Sequence, residues 1–297
     1  PEDRVLTKEE IIEGVKGKDA LLCLLTDDID EEIMDANPNL KVISNYAVGF
    51  NNIKVEEATK RGLPVTNTPG VLTETTADMA WALLMAVGRR IVESDKFTRA
   101  GKFKGWGPML LLGYDIYGKT LGLVGLGRIG EAMVKRAHGF DMKVLYYDAN
   151  RRSPEDEKEL GIEYRELDQL LAESDYVSLH VPLLPSTHHL IGERELGLMK
   201  KTGILINTAR GPVVDEKALV KALQDGEIAG AGLDVYENEP ALEPGLIDLD
   251  NVVLAPHTAS ATRETRTKMA TMAAENLLAA LEGKIPPNIV NPEVYNK

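Results

Sequence analysis

Short apolar runs alternate with segments of helical periodicity along the second half of the chain. An apolar run of a few residues that ends in turn residues predicts a buried strand, and apolar positions three and four apart predict an amphipathic helix. The strands predicted in this way are residues 120–124, 143–147, 176–181, 204–207, 229–234 and 252–254. The clearest helices between them are residues 129–138, 167–172 and 216–225. Strands that alternate with helices predict an α/β fold with a parallel sheet.

The first third of the chain has the same alternation on a smaller scale. Apolar runs at 20–25 and 41–44 each follow a helix-like segment, at 8–15 and 30–36 respectively. A short strand that ends in a turn is predicted at 62–70. We therefore expect a second, smaller parallel sheet before the main one.

Two long helices are predicted at about 74–100 and 263–282. They divide the chain into a smaller domain, residues 1–68 plus 261–297, and a larger domain, residues 69–260. The two helices are expected to form the hinge between these domains. A length of 297 residues fits this division, because a single hydrophobic core rarely grows beyond about 250–300 residues.

The composition restricts the partners and the compartment. The formal net charge is −13, so no nucleic acid is expected, because phosphate binding needs clustered cations. No apolar stretch is long enough for a membrane span and no signal peptide is expected. Cys23 is the only cysteine and lies in an apolar run, which predicts a buried, inert thiol in a reducing compartment. A cytoplasmic location follows as the expectation.

A glycine-rich segment links the predicted strand at 120–124 to the helix after it. Its residues are Gly125, Leu126, Gly127, Arg128, Ile129 and Gly130. In the G-x-G-x-x-G pattern the first glycine permits a tight turn, the second lets the backbone approach a pyrophosphate, and the third lets the helix pack closely on its strand. The N–H groups at the start of the helix then face the phosphates. In this strand–helix context the pattern predicts a dinucleotide-binding site.

An acidic residue follows the next predicted strand. Asp148 stands close to the spacing of about 20 residues that is typical of the acid on the adenosine ribose. Its carboxylate would accept hydrogen bonds from both ribose hydroxyls and repel a 2′-phosphate. We therefore expect NAD(H) to be the preferred cofactor. Arg151 and Arg152 follow closely and would permit some NADP(H) binding.

Charged residues stand just after three of the predicted strands. They are Arg210, the two glutamates Glu237 and Glu239, and His257. Because the carboxyl ends of parallel strands lie along one edge of an open sheet, where ligands bind, we expect these side chains to converge beside the nicotinamide.

The chemistry of these side chains suits the reduction of a 2-oxo acid. Arg210 offers a planar, bidentate fork for the substrate carboxylate and a charge that polarises the carbonyl. His257 can carry the proton for the carbonyl oxygen near neutral pH. A carboxylate beside it would stabilise the imidazolium and fix its orientation. Glu239 is the candidate for this carboxylate, with Glu237 as its rival.

The chain resembles the D-isomer-specific 2-hydroxyacid dehydrogenase family over nearly its whole length. The resemblance is carried by residues 125–130, 207–215, 232–240 and 256–260. It implies two doubly wound parallel-sheet domains, a Rossmann cofactor domain and a smaller, flavodoxin-like substrate domain. The family's catalytic residues fall on Arg210, Glu239 and His257, so the resemblance selects Glu239 over its rival.

The resemblance also implies binding roles. The family's aspartate on the nicotinamide carboxamide falls on Asp234, and Thr208 and Ala209 are expected to lie beside the cofactor. Val48 and Gly49 resemble the loop whose backbone N–H groups hold the substrate carboxylate. Substrate is expected in the cleft between the domains, where closure would exclude water.

Two features depart from the family pattern. Thr258 and Ala259 stand where the family usually has Ile and Gly, which is expected to alter the cofactor fit modestly. The family also opens with a strand, a helix and a second strand before the segment that resembles residues 5–17. The small domain is therefore expected to be truncated at its N-terminus and to expose a sheet edge at 20–25.

Within the family the chain most resembles glyoxylate/hydroxypyruvate reductases of archaeal type, which implies a small 2-oxo or 2-hydroxy acid as its partner. Two alternatives stay open. One is a phosphoglycerate-type dehydrogenase, which should need extra cations around the cleft, and the other is an NAD-sensing interaction protein on the same fold. Residues 101–118, rich in glycine and aromatics, are expected to form a homodimer contact or a self-packed surface loop. No metal site is expected.

Overall fold

The computed structural model of the protein describes residues 4–296. Its elements are α1 (Lys8–Val15), β1 (Leu21–Cys23), α2 (Glu31–Asp35), β2 (Ile43–Asn45), α3 (Val55–Lys60), β3 (Val65–Thr66), α4 (Thr73–Gly88), α5 (Ile91–Arg99), β4 (Thr120–Val124), α6 (Arg128–His138), β5 (Lys143–Tyr147), α7 (Pro154–Leu160), β6 (Glu163–Tyr164), α8 (Leu167–Glu173), β7 (Tyr176–Leu179), α9 (Glu193–Leu198), β8 (Ile204–Asn207), α10 (Glu216–Gln224), β9 (Gly230–Leu233), β10 (Val252–Leu254) and α11 (Arg263–Leu281). The chain divides into two compact units, of which the larger is Thr73–Ser260 and the smaller is formed by the chain up to Leu72 and from Ala261 onwards.

A parallel sheet with the strand order β10-β9-β8-β7-β4-β5-β6 forms the centre of the larger unit. The strand order reverses between β4 and β7, and ligands bind outside the carboxyl ends of the strands at such a switch point. Its central strands are continuous apolar runs because the sheet is covered on both faces. Leu205 and Leu233 belong to one buried cluster, and Leu121 and Tyr146 belong to the other. The predicted α/β fold with parallel sheets is confirmed.

The smaller unit contains a parallel sheet with the order β1-β2-β3. Helix α11 packs on this sheet, where the hydroxyl of Ser44 donates to the carbonyl oxygen of Ala273 at 2.9 Å. The C-terminal tail adds an antiparallel bridge between Thr66 and Ile289. Strand β1 lies at the edge of the sheet, where an open edge was expected, and its residue Leu22 is 45% exposed.

The expectation of one long helix over 74–100 is wrong. Helix α4 ends at Gly88, and Arg90 adopts the left-handed region at φ 51° before α5 begins. The carbonyl oxygen of Gly88 accepts a hydrogen bond from the amide of Tyr114 at 2.7 Å. The helix stops because residues 101–118, which contain no helix or strand, return to its end and satisfy its last carbonyl.

The other differences concern short or terminal elements. Helices α3, α7 and α9 and strand β6 were not expected individually, since each is too short to show a clear period. Cys23 is fully buried, and burial raises the pKa of its thiol to about 12, in agreement with an inert thiol. Among the residues described, no helix is long and apolar enough to cross a membrane.

Candidate active site

The glycine-rich turn between β4 and α6 has three distinct steric requirements. Gly125 has a φ of +94°, and a Cβ there would lie 2.8 Å from the backbone of His180. A Cβ at Gly127 would meet nothing within 4 Å, whereas a Cβ at Gly130 would lie 2.5 Å from the carbonyl oxygen of Gly125. The first glycine is thus needed for the turn and the third for close packing, while the second leaves open space beside the backbone.

The start of helix α6 adjoins that open space. The first intrahelical hydrogen bond runs from the amide of Glu131 to the carbonyl oxygen of Gly127 at 2.9 Å. The amides of Arg128, Ile129 and Gly130 therefore precede the helical ladder, and no described side chain caps this end. Free amides, a positive dipole end and an uncovered backbone fit the pyrophosphate of a dinucleotide.

Asp148 lies half-buried after the end of β5 and braces the same turn. One carboxylate oxygen accepts the amide of Leu126 at 2.8 Å, and the other accepts the amide of Asn150 at 2.8 Å. Each carboxylate oxygen can accept a second hydrogen bond. The carboxylate is therefore held beside the glycine turn with capacity left for the ribose hydroxyls of a dinucleotide.

The two arginines after Asp148 are engaged by groups of the chain itself. Arg151 pairs with Glu157 at 2.8 Å and lies over the ring of Tyr164, 4.8 Å from its centroid. Arg152 pairs with Glu131 and donates to the carbonyl oxygen of Leu126 at 2.9 Å. Both guanidinium groups are thus engaged by partners within the chain, beside the carboxylate of Asp148.

The segment after β8 is organised by the side chain of Asn207. Its carbonyl oxygen accepts the amide of Ala209 at 3.0 Å, and its amide nitrogen donates to the carbonyl oxygen of Arg210 at 2.9 Å. The hydroxyl of Thr208 is buried and has no hydrogen-bond partner among the residues described. A buried, unsatisfied hydroxyl at a strand end fits a position that a bound ligand completes.

Arg210 is tied to the neighbouring strand end by the residue that follows it. A Cβ at Gly211 would lie 1.8 Å from the carbonyl carbon and oxygen of Tyr236, so only glycine allows this approach. Burial lowers the pKa of Arg210, and the charge of Glu239 raises it. The guanidinium remains charged, because the ordinary pKa of arginine lies far above neutrality. Arg210 and Glu239 are thus close enough to interact electrostatically.

Glu239 and His257 form a hydrogen-bonded pair. The Nδ1 of His257 donates to one carboxylate oxygen of Glu239 at 2.8 Å, and the other oxygen accepts the amide of Tyr236 at 2.9 Å. Burial raises the pKa of Glu239, but the hydrogen bonds from His257 and Tyr236 outweigh it, so the pKa is lowered overall. The carboxylate stays ionised and orients the imidazole, which leaves Nε2 available for a proton transfer.

Asp234 has a positioning role that the sequence reasoning missed. Its fully buried carboxylate accepts the amides of Thr258 and Ala259, both at 2.7 Å, and its carbonyl oxygen accepts the amide of His257 at 2.9 Å. Burial raises the pKa of Asp234, and these hydrogen bonds oppose that effect. Since residues 258 and 259 contribute backbone N–H groups, their departure from the family pattern preserves these contacts. Asp234 therefore anchors the loop that presents the imidazole.

The rival glutamate faces a different histidine. Glu237 contacts the Nε2 of His189 at 2.6 Å through one carboxylate oxygen. Its second oxygen accepts the amide of Glu216 at 3.3 Å. The geometry thus assigns Glu239 rather than Glu237 to His257, a choice that spacing alone left open.

Val48 and Gly49 belong to the smaller unit, after strand β2. Their carbonyl oxygens accept the side-chain amides of Asn67 and Asn45 respectively, each at 2.8 Å. No described residue accepts a hydrogen bond from either backbone amide. The two asparagines hold the loop by its carbonyls and leave the two N–H groups as potential donors.

The chain is similar to known proteins over most of its length. Residues 81–259 match a family model described as "D-isomer specific 2-hydroxyacid dehydrogenase, NAD binding domain". A glyoxylate reductase of Korarchaeum cryptofilum is 62% identical over 290 residues, 97% of this chain and 87% of that protein. The crystal structure of the TT0316 protein of Thermus thermophilus superposes with a TM-score of 0.90 at 50% identity, covering 96% of this chain and 90% of that one. An NADPH-dependent glyoxylate/hydroxypyruvate reductase of Sinorhizobium meliloti superposes with a TM-score of 0.85 at 35% identity, covering 97% and 88%.

Proposed function

The chain belongs to the D-isomer-specific 2-hydroxyacid dehydrogenase family, and on that premise we propose that it reduces glyoxylate or hydroxypyruvate with NADH. As an NAD-dependent dehydrogenase it would convert glyoxylate to glycolate and hydroxypyruvate to D-glycerate. The observation that carries the proposal is the pair formed by His257 and Glu239 at 2.8 Å, with the charge of Arg210 acting on the same carboxylate. A cation for the substrate and an oriented proton donor are the two groups that such a reduction requires.

We assign the steps to the side chains as follows. The bound nicotinamide supplies the hydride. Arg210 binds the substrate carboxylate through its fork and polarises the carbonyl. The protonated Nε2 of His257 gives its proton to the carbonyl oxygen as negative charge develops there. Glu239 holds the imidazole in place through its Nδ1 during this transfer, and the imidazole, whose side chain is 31% exposed, regains its proton from solvent afterwards.

The binding roles belong to the same proposal. Arg128, Ile129 and Gly130 would hold the pyrophosphate through their amides, and Asp148 would hold the adenosine ribose. Asp234, Thr208 and Ala209 would lie around the nicotinamide, and Val48 and Gly49 would donate their amides to the substrate carboxylate. The preference for NADH is supported by the carboxylate at 148 and by the internal partners of Arg151 and Arg152.

The substrate assignment is tested by measuring NADH oxidation with glyoxylate, hydroxypyruvate, pyruvate and 3-phosphohydroxypyruvate. We expect the highest kcat/KM with glyoxylate or hydroxypyruvate. Preferential turnover of 3-phosphohydroxypyruvate would replace the proposal with the phosphoglycerate-type interpretation. NADH binding without turnover of any of the four acids would favour the NAD-sensing interpretation.

We also propose that the protein is a homodimer whose contact includes residues 101–118. Large apolar side chains are grouped at the surface of this segment, where Trp106 is 86% exposed, Met109 is 77% exposed, and Leu112 and Tyr117 are also exposed. Grouped apolar exposure of this kind marks an interaction surface. A cavity of about 330 Å³ beside the loop, lined in part by Leu112, offers room for an apolar side chain. Sedimentation velocity should give a dimer for the wild type and a monomer for Trp106→Glu with Met109→Glu. A monomeric wild type would favour the self-packed loop.

A further inference from the structure

A second cluster of metal-ligating side chains lies apart from the Arg210, Glu239 and His257 set. It consists of His188, His189 and Glu237, each of which offers one ligand atom within 4.8 Å of the other two. We propose that this cluster, here called the histidine cluster, binds a divalent transition-metal ion such as Zn²⁺ or Co²⁺. The sequence gives no sign of this cluster, because two adjacent histidines and a glutamate 48 residues beyond the second match no common ligand spacing.

The backbone at His189 brings the two imidazoles to one side of the chain. His189 has a φ of 50°, in the left-handed region that costs a residue with a side chain about 1 kcal/mol. Its amide donates to the carbonyl oxygen of Pro212 at 2.8 Å, and the amide of His188 donates to that of Leu184 at 3.0 Å. The ring centroids consequently lie 4.1 Å apart. In extended chain, adjacent side chains would point to opposite sides.

The carboxylate of Glu237 is also fixed by hydrogen bonds on the side away from the two imidazoles, where it meets Glu216. One oxygen of Glu237 meets the Nε2 of His189 at 2.6 Å, and the other accepts the amide of Glu216 at 3.3 Å. The amide of Glu237 in turn donates to the carboxylate of Glu216 at 2.8 Å. Such contacts behind a ligand fix its orientation before the metal arrives.

The charges around the histidine cluster also favour a cation. Within residues 4–296, the ion-pair partner of Glu237 is His189, and no lysine or arginine pairs with it. Glu216 is buried directly behind it. A divalent ion would replace the hydrogen bond between His189 and Glu237 and would neutralise the charge of the Glu237 carboxylate.

The ligand types select the class of ion. Two imidazole nitrogens and one carboxylate oxygen are a set that Zn²⁺ and its neighbours accept, whereas Ca²⁺ and Mg²⁺ take oxygen ligands. Tetrahedral coordination at about 2.0–2.2 Å places ligand atoms a little over 3 Å apart, so small side-chain movements would complete the site. His189 and Glu237 are 36% and 22% exposed, which lets an ion enter and keep water as a further ligand.

The proposal is tested by titrating the cofactor-free, chelator-treated full chain with ZnCl₂ by calorimetry and with CoCl₂ by visible absorption. We expect one ion per chain. The affinity should be at least about tenfold weaker in His188→Gln, because the loss of a metal ligand should cost at least as much as the loss of a residue that only hydrogen-bonds to a ligand. His138→Gln is the matched control, because His138 is also exposed but lies outside the cluster. This control should bind like the wild type.

A stability measurement gives a second readout. Zn²⁺ should raise the Tm of the wild type and of His138→Gln by binding the folded chain, and should raise that of His188→Gln much less. Equal affinity in the wild type and His188→Gln would overturn the proposal, as would the absence of any stoichiometric binding. Binding that survives His188→Gln and disappears in His257→Gln would place the ion at the catalytic pair instead and would also overturn it.

Discussion

Two histidine–glutamate pairs take their glutamates from the same short stretch of chain, Glu237 and Glu239, but they differ in the residues that surround them. His257 and Glu239 are 2.8 Å apart, and His189 and Glu237 are 2.6 Å apart. In each pair the second carboxylate oxygen accepts a backbone amide. The geometry within each pair therefore does not distinguish one pair from the other.

The neighbours of each pair separate them. The charge of Arg210 acts on the carboxylate of Glu239 and lowers its pKa. Asp234, at the carboxyl edge of the sheet, anchors the loop that carries His257. Glu237 has a second histidine and a buried glutamate beside it. The comparison teaches that two histidine–glutamate pairs of similar geometry can suit different roles. The pair beside Arg210 suits the proposed acid catalysis, and the pair beside a second histidine suits the proposed metal binding.

Removing the two imidazoles should give the largest contrast. We expect His257→Ala to lower kcat by about 10³-fold through loss of the proton donor, while the Kd for NADH changes less than about threefold. His189→Ala should lower kcat by less than about tenfold. Steady-state kinetics and fluorescence titration of NADH measure both quantities. Equal losses of turnover and NADH affinity in His257→Ala would contradict its role as the acid.

Changing the cation should have the next largest effect. Arg210→Lys keeps the charge but loses the bidentate fork, so we expect kcat/KM for glyoxylate to fall by about 10²-fold, the equivalent of one strong charged hydrogen bond. The Kd for NADH should stay near that of the wild type. An unchanged kcat/KM would show that the fork of Arg210 does not contribute to the reaction, and Arg210 would then no longer distinguish the His257–Glu239 pair from the His189–Glu237 pair.

The position of the cofactor beside the catalytic pair can be tested at the adenosine end of the dinucleotide, where Asp148 is proposed to bind the ribose. Asp148→Ser removes the carboxylate that would repel a 2′-phosphate, so the ratio of kcat/KM for NADH to that for NADPH should fall by about tenfold. The measurement is the same glyoxylate assay with each cofactor. A ratio equal to that of the wild type would remove Asp148 from the ribose site.

A third histidine, at the end of β7, provides the smallest and most specific contrast because it has no carboxylate. The Nε2 of His180 lies 2.9 Å from the hydroxyl of Ser178, and burial lowers the pKa of His180 from 6.5 to about 4. The folded chain therefore binds fewer protons than the unfolded chain between these values. The stabilisation is complete above pH 6.5 and is lost as the pH falls towards 4.

Urea unfolding measures this effect. Between pH 7 and pH 4.5 the free energy of unfolding of the wild type should fall by about 2 kcal/mol more than that of His180→Asn, a value reduced for the partial exposure of the ring. The difference between the two proteins removes the contribution of the carboxylates that they share. Parallel pH profiles would show that the ring is not held neutral.

Much of the large sheet could be predicted because its strands are buried on both faces and appear as uninterrupted apolar runs. The glycine turn was predictable for a similar reason, since the φ of +94° at Gly125 belongs to the turn itself and Gly130 packs against the carbonyl oxygen of Gly125. Local interactions of this kind leave a pattern in adjacent residues. Arg210 and His257 became candidates because each follows a parallel strand and because their side chains suit the reduction of a 2-oxo acid, and the family resemblance pointed to the same two residues.

Features that depend on distant contacts were not predictable. The break after α4 depends on the amide of Tyr114, and the anchoring of the His257 loop depends on both oxygens of Asp234. The assignment of each glutamate to its histidine is a further case, because Glu237 and Glu239 differ in their three-dimensional neighbours rather than in spacing. The left-handed backbone of His189 is likewise not visible in the sequence.

The most direct test of the account is the coupling between His257 and Glu239, measured as kcat/KM for glyoxylate in the wild type, His257→Ala, Glu239→Gln and the double variant. If the carboxylate acts through the imidazole, Glu239→Gln should cost about 10²-fold in the wild type and less than about threefold in the His257→Ala background. Losses that multiply in the double variant would show that the two side chains act independently, and would contradict the assignment of Glu239 as the partner of the catalytic histidine.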